Sequence, residues 1–99
     1  ELKKVKGIVL PIETENDFHT YHTFVIQTSK RNELMKYLLK HGIETKIHYP
    51  ISTHKQEPYH NDNNIKITEK SCDSILSLPI GHVSKKEIVY ISKIIKKFK

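Results

Sequence analysis

His48 and Tyr49 stand at the end of an alternating run, Ile43-Glu-Thr-Lys-Ile-His48, and directly before Pro50. Read as a strand, the run puts Ile43, Thr45 and Ile47 on one face and Glu44, Lys46 and His48 on the other. Pro50 ends it, having no N–H to give to a ladder. A neutral imidazole and a phenol at a strand terminus suit hydrogen bonding to phosphate oxygens or sugar hydroxyls. They would serve as well as half-buried edge residues satisfied by backbone groups. Register alone does not choose between these roles.

Other chemistry is thinly provided. Seven histidines are present, and His48, His54 and His60 are evenly spaced. In a strand followed by a loop that spacing has no mechanical meaning, and zinc needs three or four ligands converging at about 2 Å. No Cys-x-x-Cys or His-Glu-x-x-His accompanies them, so no metal site is expected. Cys72 falls within an expected helix, where a small apolar side chain is the plainer role. There is no Gly-x-Ser-x-Gly, and Gly7, Gly42 and Gly81 are too dispersed to cradle a phosphate. No catalytic residue and no cofactor site is expected within this chain.

Positioning these residues requires a small set of elements. Val5 to Ile12 reads as a short strand or extended lead-in, and Glu13 to Asp17 as a loop. Tyr21 to Thr28, β-branched and aromatic, predicts a strand covered on both faces. Lys30 to His41 predicts a helix with Leu34, Leu38 and His41 at helical spacing beside Met35 and Leu39, capped by Thr28 or Ser29, and Gly42 supplies its left-handed stop. The polar stretch Ser52 to Ile65 reads as a loop that includes His60-Asn-Asp-Asn-Asn64. Thr68 is expected to cap a short helix that carries Cys72, Ile75 and Leu76 and stops before Pro79, with Ile67 and Cys72 as a hydrophobic staple. Leu76 to Ile80 is extended. Ser84-x-x-Glu87 is a capping box for a last helix whose stripe is Ile88, Ile91, Ile94 or Ile95, and Phe98. The order is β-β-α-β-loop-α-β-α. It predicts an α+β fold, a small mostly antiparallel sheet with helices packed on one face.

Bulk properties narrow the function further. Ninety-nine residues make one domain, too small for a two-domain enzyme, and 36% hydrophobic content makes for a modest core. Seventeen basic against 11 acidic residues give a net charge of +6. The lysines are scattered and Arg31 is the single arginine, so solvated faces are a better reading than nucleic-acid binding. A lone Cys72 fits a reducing cytoplasm. No apolar run approaches the roughly 20 residues of a membrane span. With Glu1 first and Met35 the single methionine, the chain reads as a partial or trimmed product.

A longer series of motifs runs through the chain. It comprises Gly7-Ile-Val-Leu-Pro11, Tyr21-His-Thr-Phe24, Arg31 with Leu34 and Leu38, Gly42-Ile-x-Thr, His48-Tyr-Pro50, Gln56-x-x-Tyr59 and Leu76-Ser-Leu-Pro79. In order and spacing this series resembles the C-terminal small domain of the DegT/DnrJ/EryC1/StrS sugar aminotransferases, fold type I enzymes dependent on pyridoxal 5'-phosphate. The resemblance implies amino-group transfer, with glutamate the expected donor, to a nucleotide-linked keto-deoxysugar, for surface polysaccharide or glycan precursors. It implies substrate-binding roles for His48 and Tyr49, and less directly for His22, near a homodimer interface. For Arg31 we expect an ion pair that holds the fold. The cofactor's lysine, the acid facing its pyridine nitrogen and its phosphate ligands belong to a larger N-terminal domain that is absent here. Residues 1–99 are thus expected to be a small domain, inactive and without cofactor on its own. The alternative is a stand-alone non-catalytic module, either a truncated product or one that complements a separate large domain.

Overall fold

The computed structural model describes residues 1–60 and 63–99. Asn61 and Asp62, part of the expected polar loop, lie outside the described residues. Five regular elements form an α+β domain: strand β1 (Phe24–Gln27), helix α1 (Arg31–Lys40), helix α2 (Lys66–Ser74), strand β2 (Ile75–Leu78) and helix α3 (Lys85–Lys97). Two short 3₁₀ turns, Thr53–Lys55 and Glu57–Tyr59, punctuate the expected loop.

β1 and β2 pair antiparallel with Phe24 opposite Leu78 and Ile26 opposite Leu76. Single antiparallel bridges extend the ribbon on both sides, Val9 to Gln27 beyond β1 and Lys46 to Ser77 beyond β2. The two flanking segments expected as strands are therefore extended edges that each touch the sheet at one point. β1 is shorter than Tyr21 to Thr28, because Tyr21 turns the chain with φ of 50° and the ladder begins three residues later.

Alternation along the ribbon decides the core. Ile26 and Leu76 share one face and are fully buried with Leu34 and Leu38 of α1 and Ile95 of α3. Burying each such side chain is worth about 1.5–3 kcal/mol. Val25, opposite Ser77, belongs to the other face.

Helix ends show where sequence cues hold. Gly42 (φ 74°) closes α1 with its N–H on the Leu39 carbonyl and the Ile43 N–H on that of Leu38, a Schellman motif sealed by buried Leu38 and Ile43. α3 opens on the expected capping box: Ser84 Oγ accepts from the Glu87 N–H, and the Glu87 carboxylate from the Ser84 N–H at 2.7 Å. Hydrogen bonds from the Ser84 side chain, and then from its backbone N–H, hold the Glu87 carboxyl below its ordinary value.

Several expectations are corrected. The α1 N-cap is Lys30, with no side-chain cap; Thr28 Oγ1 takes only the Lys30 N–H at 3.3 Å. α2 begins at Lys66 with Ile65 as N-cap, two residues before Thr68, and the Glu69 carboxylate takes the Ile65 N–H. Ile67 is 83% exposed, so it forms no staple with Cys72. Ile88 is half exposed, and the α3 stripe rests on Ile91, Ile94, Ile95 and Phe98.

Arg31 makes no ion pair among the described residues. Its Nη1 donates to the carbonyls of Cys72 at 3.1 Å and Ile75 at 3.5 Å. It thus satisfies the last carbonyls of α2, the end of a helix where a cation is favoured.

Candidate functional site

The segment from Gly42 to Pro50 carries the candidate side chains along the open edge of β2. Ser77 N–H donates to the Lys46 carbonyl at 2.7 Å, and Lys46 N–H donates back to Ser77 at 3.1 Å. That one bridge sets the register, and the expected alternation follows. Ile43 is buried, Thr45 and Ile47 half-buried, Glu44, Lys46 and His48 exposed.

Two residues past the bridge, His48 lies on the same side of the ribbon as the Ser77 side chain. Its Nδ1 is 2.9 Å from Ser77 Oγ, and Ser77 is only 6% exposed. One ring nitrogen is thus engaged against the sheet, and no partner among the described residues takes Nε2. The His48–Tyr49 peptide is cis, and the two rings meet edge to face with centroids 5.5 Å apart. Tyr49 is 71% exposed. The corner therefore offers an imidazole edge and a phenol side by side to solvent.

His22 sits elsewhere. It is exposed, two residues before β1, with no hydrogen bond or ring contact to His48 or Tyr49 among the described residues. Its neighbour Tyr21 stacks on His19 at 4.1 Å and donates its N–H to His19 Nδ1 at 2.8 Å. The structure joins His48 and Tyr49 into one feature and leaves His22 apart.

Behind the corner, a polar brace escaped sequence reasoning. His54 is 8% exposed and its Nε2 lies 2.9 Å from the Glu69 carboxylate. This contact ties the loop after Pro50 to the first turn of α2. The His54 hydrogen bond, with help from the Ile65 N–H, holds the Glu69 carboxyl below its ordinary value. The even spacing of His48, His54 and His60 had only a metal to suggest, and the partner of His54 stands fifteen residues downstream. Ser77 was missed too, although a lone hydroxyl between Leu76 and Leu78 in a strand marks a side chain turned to the other face.

Among the described residues no group of three or more His, Cys, Asp or Glu converges as metal ligands. Pyridoxal phosphate fits neither of two hollows among the described residues. The larger, about 440 Å³, is mainly apolar, between the N-terminal segment and α3; its one carboxylate, Glu1, already pairs with Lys96 at 3.0 Å. The smaller, about 350 Å³, gathers Lys6, Lys30 and Lys99 but has no carboxylate side chain to face a pyridine nitrogen. No step through that cofactor is assigned to this chain. No helix among the described residues is long and apolar enough to cross a membrane.

The structure thus presents an imidazole–phenol pair at the edge of a helix-backed antiparallel ribbon. Residues 1–98 match the model of the DegT/DnrJ/EryC1/StrS aminotransferase family, and the chain belongs to that family. It is 37% identical over 84 residues to a dTDP-3-amino-3,6-dideoxy-alpha-D-galactopyranose transaminase of Aneurinibacillus thermoaerophilus, covering 83% of this chain and 23% of the relative. It is 32% identical to a dTDP-3-amino-3,4,6-trideoxy-alpha-D-glucose transaminase of Streptomyces venezuelae, covering 81% and 22%. Among solved structures, it superposes on DesV from S. venezuelae, determined with a ketimine intermediate, with a TM-score of 0.91 and 28% identity. That match covers 97% of this chain and 27% of DesV. The chain thus spans about a quarter of the length of the relatives it matches.

Proposed function

We propose that this chain is the C-terminal small domain of a pyridoxal-phosphate-dependent aminotransferase acting on a nucleotide-linked keto-deoxysugar. The observation that carries this reading is the His48–Tyr49 corner, held outward by Ser77 on a chain whose family match runs from residue 1 to 98. His48 and Tyr49 would hydrogen-bond the nucleotide-sugar, with His22 a further contact to it. That domain supplies the cofactor, whose ring serves as electron sink while protein groups orient it. This chain's part is to bind and orient the sugar.

Four relatives are named for 3-amino products or a 3-dehydro substrate. With His48-Tyr-Pro-Ile-x-x-His54-x-Gln56, they favour amination at C3. Glutamate as donor, a homodimer, a cytoplasmic setting and a place in surface polysaccharide or glycan precursor synthesis complete the proposal. The test is to read the coding sequence upstream of Glu1 and assay the full-length product for amino transfer from glutamate to a dTDP-linked 3-keto sugar. An open frame of roughly 250 residues, the size of a large domain, with formation of the 3-amino sugar, is the expected outcome.

The alternative is a non-catalytic module that is truncated or completes a separate large domain. The hollows that do not fit the cofactor favour it equally. A start codon just upstream of Glu1, with no transaminase activity, would establish it in place of the first reading.

A further inference from the structure

We propose that Ser77 is the positioning residue of the corner. Its hydroxyl fixes the neutral His48 ring as the tautomer protonated on Nε2, so that His48 presents a hydrogen-bond donor and takes an acceptor oxygen. The identity of that oxygen, on a phosphate or a sugar, rests on the nucleotide-sugar reading; the tautomer does not.

The need to satisfy buried polar groups decides the tautomer. A serine hydroxyl has one proton to donate and lone pairs to accept with. Ser77 is 6% exposed, and among the described residues His48 Nδ1 is the single partner of its Oγ, at 2.9 Å. A ring protonated on Nδ1 would donate to Oγ and leave the serine proton without an acceptor in a buried place, which is costly. With Nδ1 unprotonated, the hydroxyl donates to it and both groups are satisfied. The second nitrogen of the neutral ring then carries the proton. The backbone keeps the pair in register, because Ser77 and Lys46 exchange both N–H bonds across the bridge two residues before His48. The ring is thus held on one side and committed on the other. A ligand atom that is itself only a donor is rejected, whereas a phosphoryl, carbonyl or hydroxyl oxygen is accepted.

The test is a long-range ¹H–¹⁵N spectrum of the 99-residue chain, labelled with ¹⁵N-histidine, at about pH 8, above the ~6.5 of an ordinary imidazole. We expect His48 to show a protonated Nε2 and an unprotonated Nδ1 shifted by an accepted hydrogen bond. Ser77→Thr should keep that pattern. Ser77→Ala should lose the bonded Nδ1 signal and return the ring to the tautomer mixture of a free imidazole. A proton on Nδ1 in the unmodified chain would overturn the inference, and so would a His48 pattern unchanged in Ser77→Ala. The first outcome needs no variant, so a Ser77→Ala chain that fails to fold leaves the test intact. No substrate is present, so this failure is separable from that of the nucleotide-sugar reading, which the activity assay decides.

Discussion

The two faces of the β1–β2 ribbon are built from the same short strands and reach opposite ends. On one, Ile26 and Leu76 disappear beneath α1 and α3, with Leu34, Leu38 and Ile95 closing over them. On the other, Ser77 is buried beneath an uncovered imidazole, and Tyr49 and Ile51, next along the chain, are more than half exposed. Apolar and aromatic side chains left in solvent contribute little to the stability of the domain that carries them. The difference separates residues that hold the domain together from residues that it offers.

Substitutions can break that division, starting with the largest expected effect. Leu38→Ala removes a fully buried side chain from the closed face and should cost about 2–5 kcal/mol in urea unfolding. A loss below about 1 kcal/mol, the usual range of surface changes and modest core trims, would mean that this face is not the core. Arg31→Met leaves two carbonyls at the end of α2 without their donor and should cost about 1–3 kcal/mol. Amide exchange should speed up in α2 more than in α1; a uniform change would argue against local capping. Ser84→Ala removes one half of the capping box and should cost about 1 kcal/mol, with fraying confined to the first turn of α3.

A pH profile sharpens the same comparison. The bond from His54 keeps the Glu69 carboxyl below its ordinary value in the folded chain. Its contribution is therefore fully present above the unfolded carboxylate value of about 4.3 and is lost as pH falls through the lowered folded value. Glu69→Gln should flatten the acid limb of the stability curve and leave stability unchanged in shape above about pH 6. An acid limb as steep as that of the unmodified chain would remove this brace from the account. The smallest expected effect is on the open face, where Tyr49→Phe should alter stability by no more than about 0.5 kcal/mol.

Much of this division was legible in residue types. Gly42 at the stop of α1, Ser84 and Glu87 at the start of α3, and Leu34 with Leu38 are local signals, complete within a few residues. The alternation from Ile43 to His48 likewise predicted which side chains turn outward, and they do. What stayed hidden depends on partners distant in the chain. Arg31 finds the carbonyls of residues 72 and 75, His54 finds Glu69, and His48 finds Ser77. No spacing rule links such pairs, because the fold alone brings them together. The start of α2 was misplaced for a related reason. Thr68 is an ordinary cap residue, but here Glu69 reaches back to the Ile65 N–H and moves the helix start upstream.

The most direct test of the account is kinetic. His48→Ala and Tyr49→Phe, each introduced into the proposed full-length aminotransferase, should lower kcat/KM for the proposed keto-sugar by about tenfold or more, ~1.4 kcal/mol of transition-state binding. Tyr49→Phe should do so while thermal stability stays unchanged. Values of kcat/KM equal to those of the unmodified enzyme for both variants would contradict the claim that this edge of the domain meets the substrate.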